Sequence, residues 1–459
     1  MKRIDIFLSV AAIGLLLTTC SANKKHNTEP KTIELIAERQ AVDIIREDND
    51  ANSKLVYLKF TNNAGSTHTG LQFVWKGGGK DGVREIGDIR GRGETTYDAL
   101  WVPQSATSVT GTLKNGNNMV LWSGSIAITP APRSHVIPKS AVYGLSQIKY
   151  FSLRGINYYP RYTPWSAWTS QKESDWVSEI AEISQLNVNA IRTFAECGEK
   201  DRKPGTMPSP EYLETISNLF TIANAKGIKT MMCLHSGLPS QVMADNIRFV
   251  RTYVETFQND GRVLAWDLMN EVDDKGLGTV EYITKFCQVI YPRLSEWDVN
   301  HLNSIGFAYM LEKAVATNLT FNGPNQCWQY HFYRTTSADK IQNWKDNFFK
   351  DRPFIAGEFG DTSLEGASDA PRPYTGEKWQ RDVYQSWFAT LPKLKERGDK
   401  LLGIFAWTAF EFPKAMNVQP SGQGEYGLIR ENGQLKPAGQ LLKDEYAKLK
   451  KSDPAQWDK

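Results

Sequence analysis

Residues 263–271 read VLAWDLMNE, an apolar run that ends on the amide of Asn270 and the carboxylate of Glu271. A nearly continuous apolar run of this length predicts a strand that is covered on both faces, as strands of a parallel sheet are. Active sites of such folds lie at the carboxyl ends of the strands. The stretch therefore predicts a buried parallel strand whose end carries functional groups.

Seven similar runs flank this strand, and longer helical patterns alternate with them. The pattern at 209–227 predicts a helix with Ser209 as cap, Pro210 in the first helical position and Gly227 at the end. Eight β/α units in about 300 residues predict a (β/α)8 TIM barrel. An open doubly wound sheet is the alternative, but no Gly-rich phosphate loop follows any run. The seven runs are SLRGINYY (152–159), VNAIRTF (188–194), IKTMMCLH (228–235), NSIGFAY (303–309), WQYHFY (328–333), FIAGEFG (354–360) and LGIFAWTAF (402–410).

A different sequence pattern precedes the predicted barrel. Between residues 33 and 130, short alternating runs such as KLVYLKF and GLQFVWKG are separated by Gly and Asn clusters such as KNGNN. This pattern predicts a small all-β sandwich, so the fold class is α/β, a TIM barrel preceded by a sandwich. Residues 131–147, which are rich in proline, are the predicted linker, and residues 148–450 are the predicted catalytic barrel. Core packing is the expected role of Trp75, Trp101 and Trp122, with sugar stacking as the alternative.

Residues 1–20 have the pattern of a signal peptide. Lys2 and Arg3 precede an apolar run that is too short to span a bilayer. The run ends in LLTTC, which resembles the lipobox of bacterial lipoproteins, in which the cysteine, here Cys20, becomes lipid-modified. We expect an exported protein, either a lipoprotein of the bacterial cell envelope, at the outer membrane or cell surface, or a secreted one. Residues 21–32 are the predicted flexible tether, and a lipid on Cys20 is the only membrane contact we expect.

Charge and cysteine spacing exclude several classes of partner. The net charge is +3, with 54 basic and 51 acidic residues, and the basic residues are scattered, so no nucleic-acid partner is expected. The cysteines after Cys20 are too widely spaced for a zinc site of the paired-cysteine type, so no metal and no cofactor are predicted. The residues leave open whether Cys197 and Cys233 form a disulfide or two packed thiols.

Polar residues end six of the predicted barrel strands. Glu271 and Glu358 end the fourth and seventh strands and are expected to face each other across the barrel mouth. Two carboxyl groups suit glycosidic bond cleavage, because one must donate a proton while the other attacks or assists attack. We expect Arg192 and Tyr333 to hold Glu358 as an anion, burial to raise the pKa of Glu271, and Asn270 to bind a sugar hydroxyl. The strand-end residues are Arg192, His235, Asn270, Glu271, His331, Tyr333, Glu358 and Trp407.

The stretches WDLMNE, IAGEFG, HFY and RGINYYP together resemble the clan A glycoside hydrolases, most closely family 5, over roughly residues 150 to 450. The resemblance implies that Glu271 is the general acid/base, that Glu358 is the nucleophile and that the anomeric configuration is retained. It also implies a sugar platform at Trp407. Supporting roles follow for Arg192, His235, His331 and Tyr333. Val272 and Ser236 depart from the family pattern, and RGINYYPRYTPW is also similar to the barrels of family 2 enzymes.

The predicted function is therefore a retaining glycoside hydrolase acting by double displacement on a β-linked polysaccharide or oligosaccharide of the β-glucan or β-mannan class. A non-catalytic surface glycan-binding protein on a degenerate barrel is the alternative. A metal-dependent hydrolase is disfavoured, because His235 and His331 lack a paired ligand motif. Hydrogen bonding or salt bridging is expected for Glu196 and Glu411. Further aromatic residues near the mouth are divided between sugar stacking and packing: Tyr158, Tyr159, Trp165, Trp168, Trp328 and Phe410.

Overall fold

The computed structural model describes most of the chain after residue 32. The predicted signal peptide with Cys20 and the predicted tether lie outside the described residues, as do Trp165, Glu196 and Cys197. No helix in the described part is both long and apolar enough to cross a membrane. The described ranges are 33–38, 42–47, 53–164, 167–195, 207–237, 239–240, 242–273, 279–308, 323–349, 352–367, 372–413 and 423–458.

Two sheets form the N-terminal sandwich. One has the order β1-β3-β2-β9 with β6 also paired to β3, and the other has the order β5-β4-β7-β8. Phe60 and Phe73 meet between the sheets with ring centroids 5.7 Å apart, and Trp75 and Trp122 pack in the same core. Packing is thus the role of these two tryptophans. The strands are β1 Ile33–Glu38, β2 Val42–Arg46, β3 Ser53–Asn62, β4 His68–Gly77, β5 Lys80–Ile89, β6 Glu94–Pro103, β7 Ser108–Lys114, β8 Val120–Ala127 and β9 Arg133–Ile137.

Part of the predicted linker is a strand of the sandwich. β9 pairs in parallel with β2, with Val42 opposite Arg133 and Arg46 opposite Ile137. The prolines at 130, 132 and 138 lie outside this strand and favour a linker in the sequence, and the strand between them is short and lies at a sheet edge.

The second half of the chain forms one parallel sheet of the order β14-β13-β12-β11-β10-β18-β17-β16-β15. Only Ile305 separates its two terminal members in sequence, so the sheet returns on itself as a barrel. The predicted fold class is confirmed, and the predicted fifth strand is present as two short pieces. The strands are β10 Leu153–Asn157, β11 Ala190–Phe194, β12 Lys229–His235, β13 Val263–Met269, β14 Leu302–Ser304, β15 Gly306–Phe307, β16 Trp328–Tyr333, β17 Phe354–Gly360 and β18 Leu401–Ala406.

Helices cover the outer face of the barrel strands, and side chains packed inside the barrel bury the inner face. The helix predicted from 209 begins as expected, because the Ser209 side chain accepts a hydrogen bond from the Tyr212 amide and Pro210 occupies the first turn. Beyond residue 450, Trp457 still packs in the barrel core and donates to the carbonyl of Asn189. The helices are α1 Ala167–Ser170, α2 Glu173–Ser184, α3 Pro210–Asn224, α4 Met243–Phe257, α5 Val280–Trp297, α6 Ala338–Trp344, α7 Gly376–Glu396 and α8 Pro437–Ser452.

Helix α4 joins the sandwich to the barrel. Arg84 of β5 forms a bidentate pair with Glu255, at 2.9 and 2.7 Å. Asp98 of β6 pairs with Arg251, and the indole of Trp101 donates to the carbonyl of Glu255 at 3.1 Å. The side chains of these ion pairs are at most 20% exposed. The hydrogen bond to α4 makes Trp101 a packing residue as well.

Candidate active site

The carboxyl ends of four barrel strands bring the predicted site residues together. Arg192 lies on β11, and Glu271 lies two residues after the end of β13. His331 and Tyr333 lie on β16, and Glu358 lies on β17. His331 and Glu358 stand opposite each other in the register of neighbouring strands. The parallel barrel therefore places on one rim residues that are far apart in sequence.

Arg192 is the centre of the site and is fully buried. Its guanidinium donates to Asp267 Oδ2 at 2.7 and 2.9 Å, to Glu358 Oε1 at 2.7 Å, and to the Oδ1 atoms of Asn157 and Asn270 at 3.0 and 2.8 Å. Burial by itself would lower the pKa of Arg192, but Asp267 and Glu358 raise it above its ordinary value. One permanent cation thus links the strand of Glu358 with that of Glu271.

Glu358 is held from both oxygens. Arg192 donates to Oε1, the hydroxyl of Tyr333 donates to Oε2, and His331 Nδ1 lies 3.5 Å from Oε2. Burial raises the pKa of Glu358 above its ordinary value, although His331 and Arg192 oppose this. The contacts with Arg192 and Tyr333 are those predicted, but desolvation outweighs their stabilisation of the anion.

Glu271 is the more exposed of the two carboxylates. Its side chain is 17% exposed, compared with 3% for Glu358, so the deeper burial expected for Glu271 belongs to Glu358. Its Oε1 lies 2.8 Å from His331 Nδ1. The residue has a φ of 46°, a left-handed conformation that costs a non-glycine residue about 1 kcal/mol or more. The next amide, that of Val272, donates to the carbonyl of Gly306 at 3.0 Å.

The two glutamates and His331 form one cluster. One donor atom from each of the three residues lies within 4.8 Å of the others. Burial lowers the pKa of His331 to about 4, so its imidazole is neutral near pH 7. The neutral imidazole adds no positive charge between the two carboxyl groups. A small ligand that contacts one of the two glutamates therefore also lies within reach of the other.

Residues 146–409, more than half of the chain, match the cellulase family, glycosyl hydrolase family 5. The chain belongs to glycoside hydrolase family 5. Its barrel is similar to a GH5_18 enzyme of Streptomyces cattleya, solved with GlcNAc and, as a variant, with Manb1-4GlcNAc. The two alignments have TM-scores of 0.51 and 0.52, identities of 15% and 14%, and cover 67% and 66% of this chain and 82% of the other.

Most of the chain also aligns with a family 2 enzyme. A GH2 beta-galacturonidase from Eisenbergiella tayi covers 91% of this chain and 72% of its own, at a TM-score of 0.47 and 13% identity. No curated protein matches the chain. Membership of family 5 makes the protein a glycosidase with a carbohydrate substrate.

Carboxylates and imidazole are common metal ligands, so the cluster of Glu271, His331 and Glu358 has the donor types that bind a divalent cation. A guanidinium already stands 2.7 Å from Glu358, and a second cation beside it would be repelled. The donor set therefore suits proton transfer and nucleophilic attack better than it suits a metal.

The other predicted site residues differ in their surroundings. Asn270 accepts from Arg192 at 2.8 Å and so belongs to the site network. Trp407 packs edge-on against Tyr159, with centroids 5.7 Å apart. The ring of His235 instead packs against Phe249 of α4 and Phe286 of α5, an environment typical of a packing residue.

The candidate stacking residues of the family 5 barrel are mostly core residues. Tyr159 stacks on Phe194 with centroids 4.7 Å apart, and the indole of Trp168 donates to the carbonyl of Phe194. Trp328 packs against Phe307 at 5.5 Å. Tyr158 and Phe410 are also buried. Glu411 forms the predicted salt bridge, 3.0 Å from Lys436.

Sequence reasoning missed three residues of the polar network: Asn157, Asp267 and Gln329. Asp267 binds Arg192, and Asn157 donates to the carbonyls of Gly357 and Ala406. The available signal was a polar residue inside an otherwise apolar barrel strand, where burial is costly without a partner.

Proposed function

We propose that the protein is a retaining glycoside hydrolase that cleaves a β-linked polysaccharide or oligosaccharide of the β-glucan or β-mannan class. The supporting observation is the short distance between the carboxylates, with donor atoms of Glu271 and Glu358 within 4.8 Å. Retaining glycosidases hold their carboxyl groups about 5–5.5 Å apart, whereas inverting ones leave about 6.5–9.5 Å for a water molecule. The observed separation favours direct attack by a carboxylate.

In the first step, a Glu358 oxygen attacks the anomeric carbon while Glu271 donates its proton to the glycosidic oxygen. The bond from the anomeric carbon to that oxygen breaks, the leaving sugar departs with the proton, and a glycosyl ester of Glu358 forms. Arg192 and Tyr333 orient the attacking carboxylate through the hydrogen bonds described above.

In the second step, Glu271, now a carboxylate, takes a proton from water, and the water oxygen attacks the anomeric carbon of the ester. The sugar is released with its original configuration, and Glu358 returns as a carboxylate. The greater exposure of Glu271 supports this assignment, since the acid/base must reach both the leaving group and the incoming water.

The test is release of reducing ends from β-glucans, β-mannans, aryl β-glycosides and Manb1-4GlcNAc, the ligand of the S. cattleya structure. Glu358→Ala should abolish turnover, and azide should restore it as a glycosyl azide of inverted configuration. Glu271→Ala should retain cleavage of substrates with activated leaving groups only. Equal binding of one glycan by the wild type and both variants, without cleavage, would support the alternative glycan-binding protein.

We also propose that the chain is exported and lipid-anchored through Cys20, on the strength of the signal-peptide pattern and the LLTTC sequence. Radiolabelled palmitate should be incorporated into the wild type and not into Cys20→Ala. Soluble, unlabelled protein in the medium from both would support ordinary secretion.

A further inference from the structure

Gln329 connects the two halves of the site. It is fully buried on β16, two residues before His331. Its Nε2 lies 2.9 Å from Asp267 Oδ2 and 3.3 Å from His331 Nε2. Its Oε1 accepts a hydrogen bond from the hydroxyl of Ser304 at 3.1 Å.

The orientation of this amide is determined by its neighbours. Asp267 pairs with Arg192 and is an acceptor, so the Gln329 nitrogen and not its oxygen must face it. Ser304 supplies the donor for the oxygen. Two glycines make room for the side chain: a Cβ at Gly357 would lie 2.5 Å from Gln329 atoms, and one at Gly306 would lie 3.1 Å away.

An amide nitrogen has two hydrogens and no acceptor capacity. One hydrogen of Gln329 Nε2 points to Asp267, and the other points to His331 Nε2. His331 Nε2 must therefore be the acceptor, and a proton there would set donor against donor. A neutral imidazole that accepts at Nε2 carries its proton on Nδ1.

We infer that Gln329 is a positioning residue that holds His331 as its neutral Nδ1–H tautomer, so that His331 donates a hydrogen bond to Oε1 of Glu271. The donor at Nδ1 lies 2.8 Å from that oxygen. When Glu271 carries a proton, Oε2 is then the favoured position, because the carbonyl oxygen of a carboxyl group is the better acceptor for the Nδ1–H donor. This inference rests on the proposed acid/base role of Glu271 only for its catalytic consequence, which is a proton presented preferentially from the same oxygen.

The tautomer can be measured without any substrate. Nitrogen-15 labelling of histidine, followed by long-range proton–nitrogen correlation at pH 7, distinguishes Nδ1–H from Nε2–H imidazoles. The chain has six histidines, and His331→Gln identifies the His331 signals by their loss. The wild type should show the Nδ1–H pattern at His331.

Two variants test the cause. Gln329→Met removes the donor and should give a mixture of tautomers, whereas Gln329→Glu supplies an acceptor and should shift His331 to Nε2–H. Gln380→Met is the matched control, because Gln380 is equally buried but donates to the carbonyls of Asp361 and Tyr426. It should leave the His331 signals unchanged.

Kinetics on a cleaved substrate complete the test. Gln329→Met should lower kcat about 10-fold to 100-fold, as loss of a supporting hydrogen bond commonly does, with KM little changed. An Nε2–H pattern at His331 in the wild type, or an Nδ1–H pattern that persists in both Gln329 variants, would overturn the inference. Tautomer shifts in a protein that cleaves no glycan would uphold it and overturn the proposed function instead.

Discussion

The guanidinium of Arg192 lies 2.7 Å from Oε1 of Glu358, and both side chains are almost completely buried. The same guanidinium pairs with Asp267 on the strand that leads to Glu271. A cation between the strands of the two glutamates fixes their relative positions more firmly than loops at the rim could.

Arg192→Lys should lower both activity and stability. Lysine lacks the planar fork that reaches Asp267, Glu358 and Asn270 together. We expect kcat to fall at least about 100-fold and the free energy of unfolding to fall by about 3–5 kcal/mol, since at least one of the two buried carboxylates loses its partner. Urea unfolding and steady-state kinetics measure both. Arg133→Lys is the control, because Arg133 is 58% exposed and should change neither.

Glu358→Gln should abolish activity and change the stability of the fold in a pH-dependent way. Burial raises the pKa of Glu358, so the folded state disfavours the charged form. Below the unfolded-state pKa near 4.5 both states are protonated and no penalty exists; as pH rises through the folded pKa, the penalty becomes complete. The unfolding free energy of the variant relative to the wild type, measured by urea unfolding, should therefore be higher at pH 8 than at pH 4. Equal values at both pH values would contradict the prediction.

Tyr333→Phe should reduce kcat with little loss of stability. The variant removes one hydrogen bond to Glu358 Oε2 and leaves the ring against Tyr426. We expect kcat to fall about 10-fold to 100-fold. Tyr446→Phe is the opposite case, because that buried hydroxyl donates to the backbone of β10 and β18. It should cost about 1–3 kcal/mol of stability and leave kcat unchanged.

A buried pair below the active site should make stability depend on pH from both sides. Burial by itself would raise the pKa of Asp298, but His301 and the indole of Trp266 lower it to about 2. Asp298 in turn raises the pKa of His301. The Asp298 contribution is full above its unfolded pKa of 3.8 and is lost toward pH 2, whereas the His301 contribution is full below pH 6.5 and is lost as pH rises through its folded pKa.

The measurement is the difference in unfolding free energy between the wild type and His301→Gln at several pH values. The difference should be largest between about pH 4 and 6.5 and should shrink on both sides of that window. A difference that is independent of pH would show that the pair contributes through packing alone.

Glu255→Ala should weaken the coupling between the sandwich and the barrel. It removes the bidentate carboxylate partner of Arg84, whose side chain is only 12% exposed, at a cost of about 3 kcal/mol. Calorimetry should show one unfolding transition for the wild type and a separate, earlier sandwich transition for the variant. Arg293→Ala removes the more exposed pair between α5 and Glu85 and should preserve the single transition.

Local pattern was sufficient for the barrel strands and for both glutamates. Apolar runs of this length, alternating with longer helical patterns, are typical of strands covered on both faces, and each of the eight runs overlaps a barrel strand. The same reasoning failed at residues 133–137, where β9 is short, largely exposed and flanked by prolines. It could not detect the break at Ile305, because an interruption of pairing leaves no trace in hydrophobicity.

The sequence was a poorer guide to the burial and the hydrogen-bond partners of the site residues. The sequence placed Glu271 and His235 at strand ends, but only the structure turns His235 toward α4 and α5 and buries Glu358 more deeply than Glu271. Gln329 had no signal of its own beyond an amide inside an apolar strand. The orientation of its amide depends on Asp267, Ser304 and two glycines in other strands.

The sequence by itself determined the order of β/α units and the strands near whose ends Glu271 and Glu358 lie, because backbone periodicity and apolar runs are local properties. Tertiary structure alone decided which carboxylate is desolvated and which nitrogen of His331 accepts a hydrogen bond. Desolvation and hydrogen-bond geometry depend on distances of a few ångströms between residues that are far apart in the chain. Closure and register of the barrel set those distances.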